Sequence, residues 1–183
     1  MRLSHPRTVQ LRFVCASIVF LATLGASAQT HPSQKEQTNF SAENEHLQYP
    51  CPIPPEVIEI LRKDGGIGEE LDENSPNGAP YSNLLEASII HLRSPSQNDM
   101  IVVANGALAG ANVTRFWILT QTAEGMKLVV NGAGAHDLEI KNERNHGYRN
   151  IVLLSATAVT WTETVLHFDG NLYREFSTKT HRS

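Results

Sequence analysis

The sequence has few cysteines and no long apolar run beyond its amino terminus. Both shortages limit the classes of protein to which it can belong. Its 183 residues include two cysteines, Cys15 and Cys51. No segment after residue 28 approaches the about 20 apolar residues that a membrane-spanning helix needs, so we expect no transmembrane anchor. The chain also lacks the Gly-x-Ser-x-Gly elbow of many hydrolases and the Lys-Ser/Thr pair that follows the glycines of a phosphate-binding loop. We therefore expect no cofactor and assign no catalytic residue.

The amino terminus has the pattern of a cleaved export signal. Three arginines precede the apolar stretch at residues 13–24, and the small residues Ala26, Ser27 and Ala28 follow it. A positively charged start, a short apolar stretch and small residues at positions −3 and −1 are typical of a secretory signal peptide. We predict that residues 1–28 are removed after Ala28, which places the mature protein in the periplasm or outside the cell.

Cleavage would leave Cys51 as the one cysteine of the mature chain. An internal disulfide bond is then impossible, although small exported domains commonly rely on such bonds. Cys51 is predicted to be either a free thiol or one half of a bond to another chain. Packing and polar contacts must therefore stabilise the mature domain.

Basic residues are scarce in the predicted mature chain. Residues 1–28 hold three of the 15 basic residues and none of the 19 acidic ones, so the mature chain has a net charge of −7. Binding to nucleic acid requires a basic surface to neutralise phosphates. Nucleic acid is accordingly excluded as an expected partner.

The chain after the signal divides into an arm and one domain. Residues 29–50 are polar and acidic, which predicts a disordered arm, and residues 51–183 are predicted to form a single β-rich domain. A short helix is expected to start at Pro54 or Pro55 and to end at Gly65-Gly66. The segment Asp64–Asn83 is predicted to be either a mobile loop or a loop with a helical turn near Gly68–Leu71.

The remainder of the sequence predicts antiparallel strands. Short runs rich in Val, Ile, Thr and aromatic residues alternate with Gly, Asn, Asp and Pro, as in a β-meander. The expected strands are Glu86–Arg93, Met100–Asn105, Val113–Gln121, Met126–Asn131, His136–Lys141, Tyr148–Ser155, Val159–Phe168 and Leu172–Ser177. We predict an α+β fold with about six to eight strands, mainly an antiparallel meander, and one short amino-terminal helix.

Residues 142–174 carry a resemblance to a known repeat. The segments NERNHGYRNI (142–151) and FDGNLYR (168–174) are similar to the strand–turn–strand unit of secreted bacterial FG-GAP-like proteins. The residues that agree with the family pattern are Gly147, Tyr148 and Ile151. Those that depart from it are Asn142, Arg144, His146 and Asn150. Calcium prefers clustered carboxylate and carbonyl oxygens, so the resemblance implies the turn without its ion.

Four histidines, His91, His136, His146 and His167, lie in or beside predicted strands. None has a second ligand at short spacing, so we expect no metal site. His136 is expected to share the buried face of its strand with Leu138 and Ile140. Its neighbour Asp137 would then point to the opposite face, so the two residues are not expected to form a dyad.

Aromatic and charged residues of the strands are the candidates for partner binding. Phe116 and Trp117 are adjacent, so one of them should leave the core unless both faces of the sheet are covered. Trp161, Glu163 and His167 share a face, which predicts an exposed row unless a bulge turns Trp161 inward. The candidate partner-binding residues are Trp161, Glu163, His167, Trp117, Tyr148 and Arg149.

These observations favour an exported binding protein without enzymatic activity, of the inhibitor or immunity type. Its expected partner is another envelope protein or a glycan, and the oligomeric state is left open. A second hypothesis is a hydrolase of cell-wall or glycan material that uses Glu163 and Asp137 with a nearby histidine, which requires the acids to lie across a cleft. A structural component of the envelope is the third.

Overall fold

Two antiparallel sheets and two short helices make up the chain in the computed structural model, which describes residues 35–75 and 80–182. One sheet has four strands in the order β2-β3-β4-β5, and the other has five in the order β1-β6-β7-β8-β9. We call them the central sheet and the outer sheet. The strands are β1 Asn39–Ser41, β2 Leu85–Ile90, β3 Asp99–Ala104, β4 Thr114–Thr122, β5 Gly125–Ala135, β6 Asp137–Asn145, β7 Tyr148–Ala156, β8 Thr160–Phe168 and β9 Tyr173–Arg182.

The helices lie against one face of the central sheet. Helix α1 spans Pro55–Lys63 and helix α2 spans Gly68–Asn74. Helix α1 starts with proline, whose missing N–H costs nothing in a first turn. Its residues Val57, Ile58 and Leu61 are buried against the sheet. Both the predicted start of the first helix and the predicted helical turn near residue 68 are therefore confirmed.

The central sheet is buried on both faces, and this explains the most apolar strands of the sequence. All six residues of β3 are buried. On β4, Phe116 packs into the core between the sheets, whereas its neighbour Trp117 packs beneath the helices. Neither aromatic side chain has any exposed surface. The expectation that coverage of both faces would keep both aromatics inside is thus met.

The second face of the central sheet packs against the outer sheet. The buried core between the two sheets includes Ile101, Ile118, Leu138, Ile151 and Leu166. Strand-to-strand pairing is antiparallel throughout both sheets. The predicted α+β fold is confirmed: every strand expected from the sequence is present, and β1 is an addition.

Strands β5 and β6 form one stretch of chain that passes from the central sheet to the outer sheet. Only His136 separates them, and it bends rather than continuing the strand. The expectation that His136 belongs to a strand and faces the core with Leu138 was wrong. Its side chain is 22% exposed, and its Nδ1 lies 3.1 Å from Asp137 Oδ2. The bend interrupts the alternation of side chains, so the two neighbours meet.

The polar arm, residues 29–50, was expected to be disordered. Within residues 35–50 the structure instead has the strand β1. Phe40 lies on β1, which pairs with β6, and its side chain has no exposed surface. Gln37 is also buried. One aromatic residue is enough to anchor a short strand when a sheet edge and an apolar core are both within reach. Residues 29–34 and the predicted signal peptide lie outside the described residues.

An ion pair anchors the start of the arm. Arg149 on β7 donates from Nη1 to both carboxylate oxygens of Glu36, at 3.0 and 3.1 Å. The same guanidinium donates to the carbonyls of Ile140 and Lys141. Glu36 also accepts the amide of His91 at 2.7 Å. With 8% of the Arg149 side chain and 21% of the Glu36 side chain exposed, most of the charge of this pair is removed from water.

Replacing Arg149 with methionine should destabilise the protein, because it leaves the half-buried Glu36 carboxylate unpaired. Removing one partner of a buried pair costs about 3–5 kcal/mol, and the partial exposure of Glu36 reduces this to about 2–4 kcal/mol. The control is Arg174→Met, which breaks an ion pair on a side chain that is 65% exposed and should destabilise the protein much less. Urea unfolding of both variants measures the difference. Equal losses of unfolding free energy would contradict a stabilising role for the Arg149–Glu36 ion pair.

Candidate functional site

An open apolar groove of about 890 Å³ runs along strand β5. Its size falls within the range of about 300–1,000 Å³ that is usual for ligand sites. The free edge of β5 forms the floor, because β5 is the last strand of the central sheet. The groove is lined by Ile60, Asp64, Thr122, Glu124, Met126, Lys127, Leu128, Val129, Val130, Asn131, Ala133, Leu153, Leu166, Leu172 and Tyr173.

The groove exists because two strands diverge. The amide of His136, just after β5, donates to Leu154 of β7 at 2.8 Å. Strand β6 continues from this point as the partner of β7. Strand β5 instead pairs with β4 on its other side, so its free edge and β7 separate toward the β4–β5 turn. The space between them is the groove.

Apolar side chains form both walls of the groove. On the helix side, Ile60 of α1 lies with Met126 and Leu128 of β5, all half-buried at the edge of the helix-facing core. On the opposite side, Leu153 and Leu166 of the outer sheet belong to or pack against the core between the sheets. The exposed apolar surface of the groove therefore continues into both cores of the protein.

The mouth of the groove carries charge. Lys127 donates from Nζ to Oδ1 of Asn171 at 2.5 Å, which links β5 to the β8–β9 turn. Asp64 and Glu124 also line the groove and are exposed. Within residues 35–75 and 80–182, neither carboxylate has an ion-pair partner. The groove therefore carries Asp64 beside Asn131 and Glu124 at the β4–β5 turn. Lys127, between them along β5, keeps its positive charge, because its acceptor Asn171 is neutral.

The β8–β9 turn at the mouth is held by Asp169. Its Oδ1 accepts the amides of Asn171 and Leu172 at 2.8 and 2.9 Å, and its Oδ2 accepts from Arg174 Nε at 3.1 Å. These hydrogen bonds, led by the one from Leu172, lower the pKa of Asp169 from 3.8 to about 2. The ionised carboxylate thus fixes the two turn residues nearest the groove, one of which holds Lys127.

The candidate row Trp161, Glu163 and His167 lies on the solvent side of the outer sheet, away from the groove. Trp161 is 39% exposed and stacks on His181, with ring centroids 4.0 Å apart. His167 stacks in the same way on Phe176, which is 67% exposed. The strand bulge occurs between Val165 and Leu166, and it does not turn Trp161 inward.

Of the other three candidates, two are buried and one is half-buried. Trp117 is fully buried and donates from Nε1 to the carbonyl of Gly65 at 3.2 Å. Arg149 is the buried partner of Glu36. Tyr148 is half-buried and stacks on Phe168, with ring centroids 3.8 Å apart. Trp117 and Arg149 are therefore buried and make their contacts within the fold.

The turn within the FG-GAP-like segment is a tight hairpin between β6 and β7. His146 and Gly147 have φ angles of 49° and 80°, as the favoured two-residue hairpin turn requires. Arg144 donates to the carbonyls of Leu92, Arg93 and Gly147, so it ties this hairpin to the connection that follows β2. The resemblance itself stays a prediction.

The acids of the hydrolase hypothesis occupy one face of the outer sheet. Asp137 and Glu163 each pair with Leu154, so β7 lies between them and they are two strand spacings, about 10 Å, apart. Neither residue lines the groove. Within residues 35–75 and 80–182, no group of three His, Cys, Asp or Glu side chains is arranged to hold a metal ion.

The single cysteine of the described chain is a free thiol. Cys51 is half-buried, and its amide donates to Ala87 at 2.8 Å, which places the chain beside β2. Burial raises the pKa of the Cys51 thiol. A thiol in this position is less reactive at neutral pH than an exposed one, because the thiolate is the nucleophile.

Sequence reasoning missed the groove. Met126 and Leu128 were expected on a strand, but the two-residue alternation of a strand does not indicate whether it lies at a sheet edge. Leu153 and Leu154 are equally apolar neighbours, and only the packing of the sheets shows that Leu153 lines the groove. The acidic run near Asp64 was a visible signal, although it predicts no more than a solvated loop.

Comparisons with protein family models, curated proteins and solved structures find no match to this chain. None of the helices in residues 35–75 and 80–182 has the length and apolar character required to cross a bilayer.

Replacing Asp169 with asparagine should make stability less dependent on acid. Because the folded protein lowers the pKa of Asp169, the ionised group stabilises the fold above pH 3.8, and this contribution is lost as the pH falls toward about 2. The wild-type melting temperature should therefore fall more than that of the variant between these two pH values. Thermal unfolding at several pH values tests this, and parallel curves would contradict it.

Proposed function

We propose that the mature chain is an exported binding protein, without enzymatic activity, that holds an apolar segment of another envelope protein in the β5 groove. The observation that carries the proposal is the open groove itself, which leaves aliphatic side chains of two cores in contact with solvent. A concave surface lined mainly by apolar side chains is the usual form of a binding site. Export to the periplasm or beyond is part of the proposal and rests on the pattern of residues 1–28.

The chemistry of the lining supports a protein partner over a glycan. Leucine, isoleucine, valine and methionine predominate among the groove residues. Such surfaces gain free energy by excluding water from apolar groups, whereas a sugar presents hydroxyl groups that require hydrogen-bond partners. An inhibitor or immunity protein that captures an apolar segment of its target would use a surface of this kind.

A second candidate is contact with a glycan or protein at the outer sheet. It is favoured by the two exposed stacked pairs, Trp161 on His181 and His167 on Phe176. Aromatic rings with polar edges suit surfaces that are wet on one side. The hydrolase alternative is less well supported, because Leu154 lies between Asp137 and Glu163 on the same sheet face, where an attacking water would have to stand.

Two neighbouring leucines provide a matched test of the groove. Leu153→Asp places a carboxylate in the groove, and Leu154→Asp places one on the opposite face of the same strand. Burial of a leucine side chain is worth about 1.5–3 kcal/mol, so Leu153→Asp should weaken binding of the apolar dye anilinonaphthalene sulfonate about tenfold or more. Leu154→Asp should leave dye binding close to that of the wild type, as measured by fluorescence titration.

A photo-crosslinking amino acid then tests the class of partner. Placed at Glu124, which lines the groove, it should give one adduct with an envelope protein when the protein is expressed with its signal. Placed at Glu143, an exposed site outside the groove, it should give none. Equal adducts at both positions, or adducts unaffected by Leu153→Asp, would contradict binding in the groove.

A further inference from the structure

The free edge of β5 presents unpaired backbone groups to the groove. In antiparallel pairing, alternate residues direct their N–H and C=O groups toward one neighbour, and the residues between them direct theirs to the other side. Strand β5 has β4 on one side and, within residues 35–75 and 80–182, no strand on the other. Gly125–Leu128 pair with Leu119–Thr122 without interruption, so the outward groups of this part of β5 keep regular strand spacing.

We infer that the partner binds by strand addition: an extended segment of its chain pairs with the free edge of β5 and extends the central sheet to five strands. This inference rests on the proposed function, because it specifies the partner of the same groove. Backbone hydrogen bonds would provide affinity that does not depend on the partner sequence, and the walls of the groove would select its side chains.

The two walls specify the side chains of the added strand. Successive side chains of a strand point to opposite faces. One set would contact Ile60, Met126 and Leu128, and the other set would contact Leu153 and Leu166. Strands covered by apolar surface on both faces are continuous apolar runs instead of alternating ones. The partner segment is therefore a run of consecutive aliphatic residues.

The two acids that line the groove specify basic residues beside that run. Asp64 and Glu124 are exposed, line the groove and lack ion-pair partners in the described chain. Asp64 follows the carboxyl end of helix α1, where the helix dipole adds further negative potential. Asp64 lies beside Asn131 and Glu124 beside Gly125, so the two acids lie toward opposite ends of the β5 segment in the groove. A lysine or arginine on either side of the aliphatic run would be attracted to one of them.

The same edge has features that limit its pairing to a short segment. The register between β4 and β5 shifts between Phe116 and Ile118 and again between Ile118 and Leu119, so the edge is irregular beyond Leu128. Lys127 is exposed on the regular part. Bulges and an edge lysine both discourage indiscriminate pairing with other strands. The regular edge is long enough for about four residues of an added strand.

The test begins with a library of displayed ten-residue peptides that is selected for binding to the full mature protein. Strand addition predicts enrichment of four or more consecutive aliphatic residues flanked by lysine or arginine. The best peptide is then made in two N-methylated forms, with the methyl group on adjacent residues of the aliphatic run. Because only alternate N–H groups face β5, one methyl group should abolish binding and the other should leave the Kd within about twofold.

The outcomes separate this inference from the proposed function. Peptides that displace the dye but lose affinity equally, or not at all, on methylation at either position would overturn strand addition while groove binding stands. Enrichment of peptides without an aliphatic run would overturn it as well. If Leu153→Asp weakens the binding of neither the dye nor the peptide, the proposed function itself fails. A concentration-dependent dimer that protects the β5 amides from hydrogen exchange would identify a second copy as the occupant and overturn the partner assigned here.

The contribution of the two acids, Asp64 and Glu124, to affinity is tested separately with the selected peptide. Asp64→Asn and Glu124→Gln should each weaken binding about two- to fivefold, and the loss should diminish at high salt. Glu143→Gln, a matched change at an exposed position outside the groove, should have no effect. Equal affinities for lysine and glutamate versions of the peptide would contradict the charge selection.

Discussion

The fold depends on the burial of both faces of the central sheet. Strand β3 exposes none of its six residues, and β4 directs Phe116 and Trp117 into separate cores. A sheet of this kind is stable only if one layer covers each side, so α1 and α2 are required on one face and the outer sheet on the other. Solvent can then reach the sheet at its edge strands, and it does so at β5, along the groove.

Polar clamps complement the packing in a described chain whose single cysteine is unpaired. Asp99 is fully buried, yet its carboxylate accepts hydrogen bonds from the amides of Leu92 and Gln121 and from the hydroxyl of Thr120. Glu36 and Arg149 do the same for the start of the arm. A buried charge is tolerable when its hydrogen bonds are complete, and such groups fix one arrangement of the strands around them.

The sequence was sufficient for most of the secondary structure and insufficient for the site. The proline start of α1 and the Val, Ile and Thr runs identified the elements, because these features depend on local propensity and period. Phe40 was overlooked, since a lone aromatic in a polar arm has no period, and its burial depends on the distant β6. His136 was misread because the bend between the sheets is a tertiary event. The groove results from the divergence of β5 and β7, which no local pattern records.

The pairing of Glu36 with Arg149 also sets the order in which the chain can assemble. The two residues are 113 positions apart, and β1 joins β6 across almost as long a span. Contacts between distant segments form slowly, since a long loop must close before they are gained. The outer sheet is accordingly unable to complete itself until nearly the whole polypeptide has been synthesised. The proposed export would benefit from that delay, because a translocation channel threads unfolded chains.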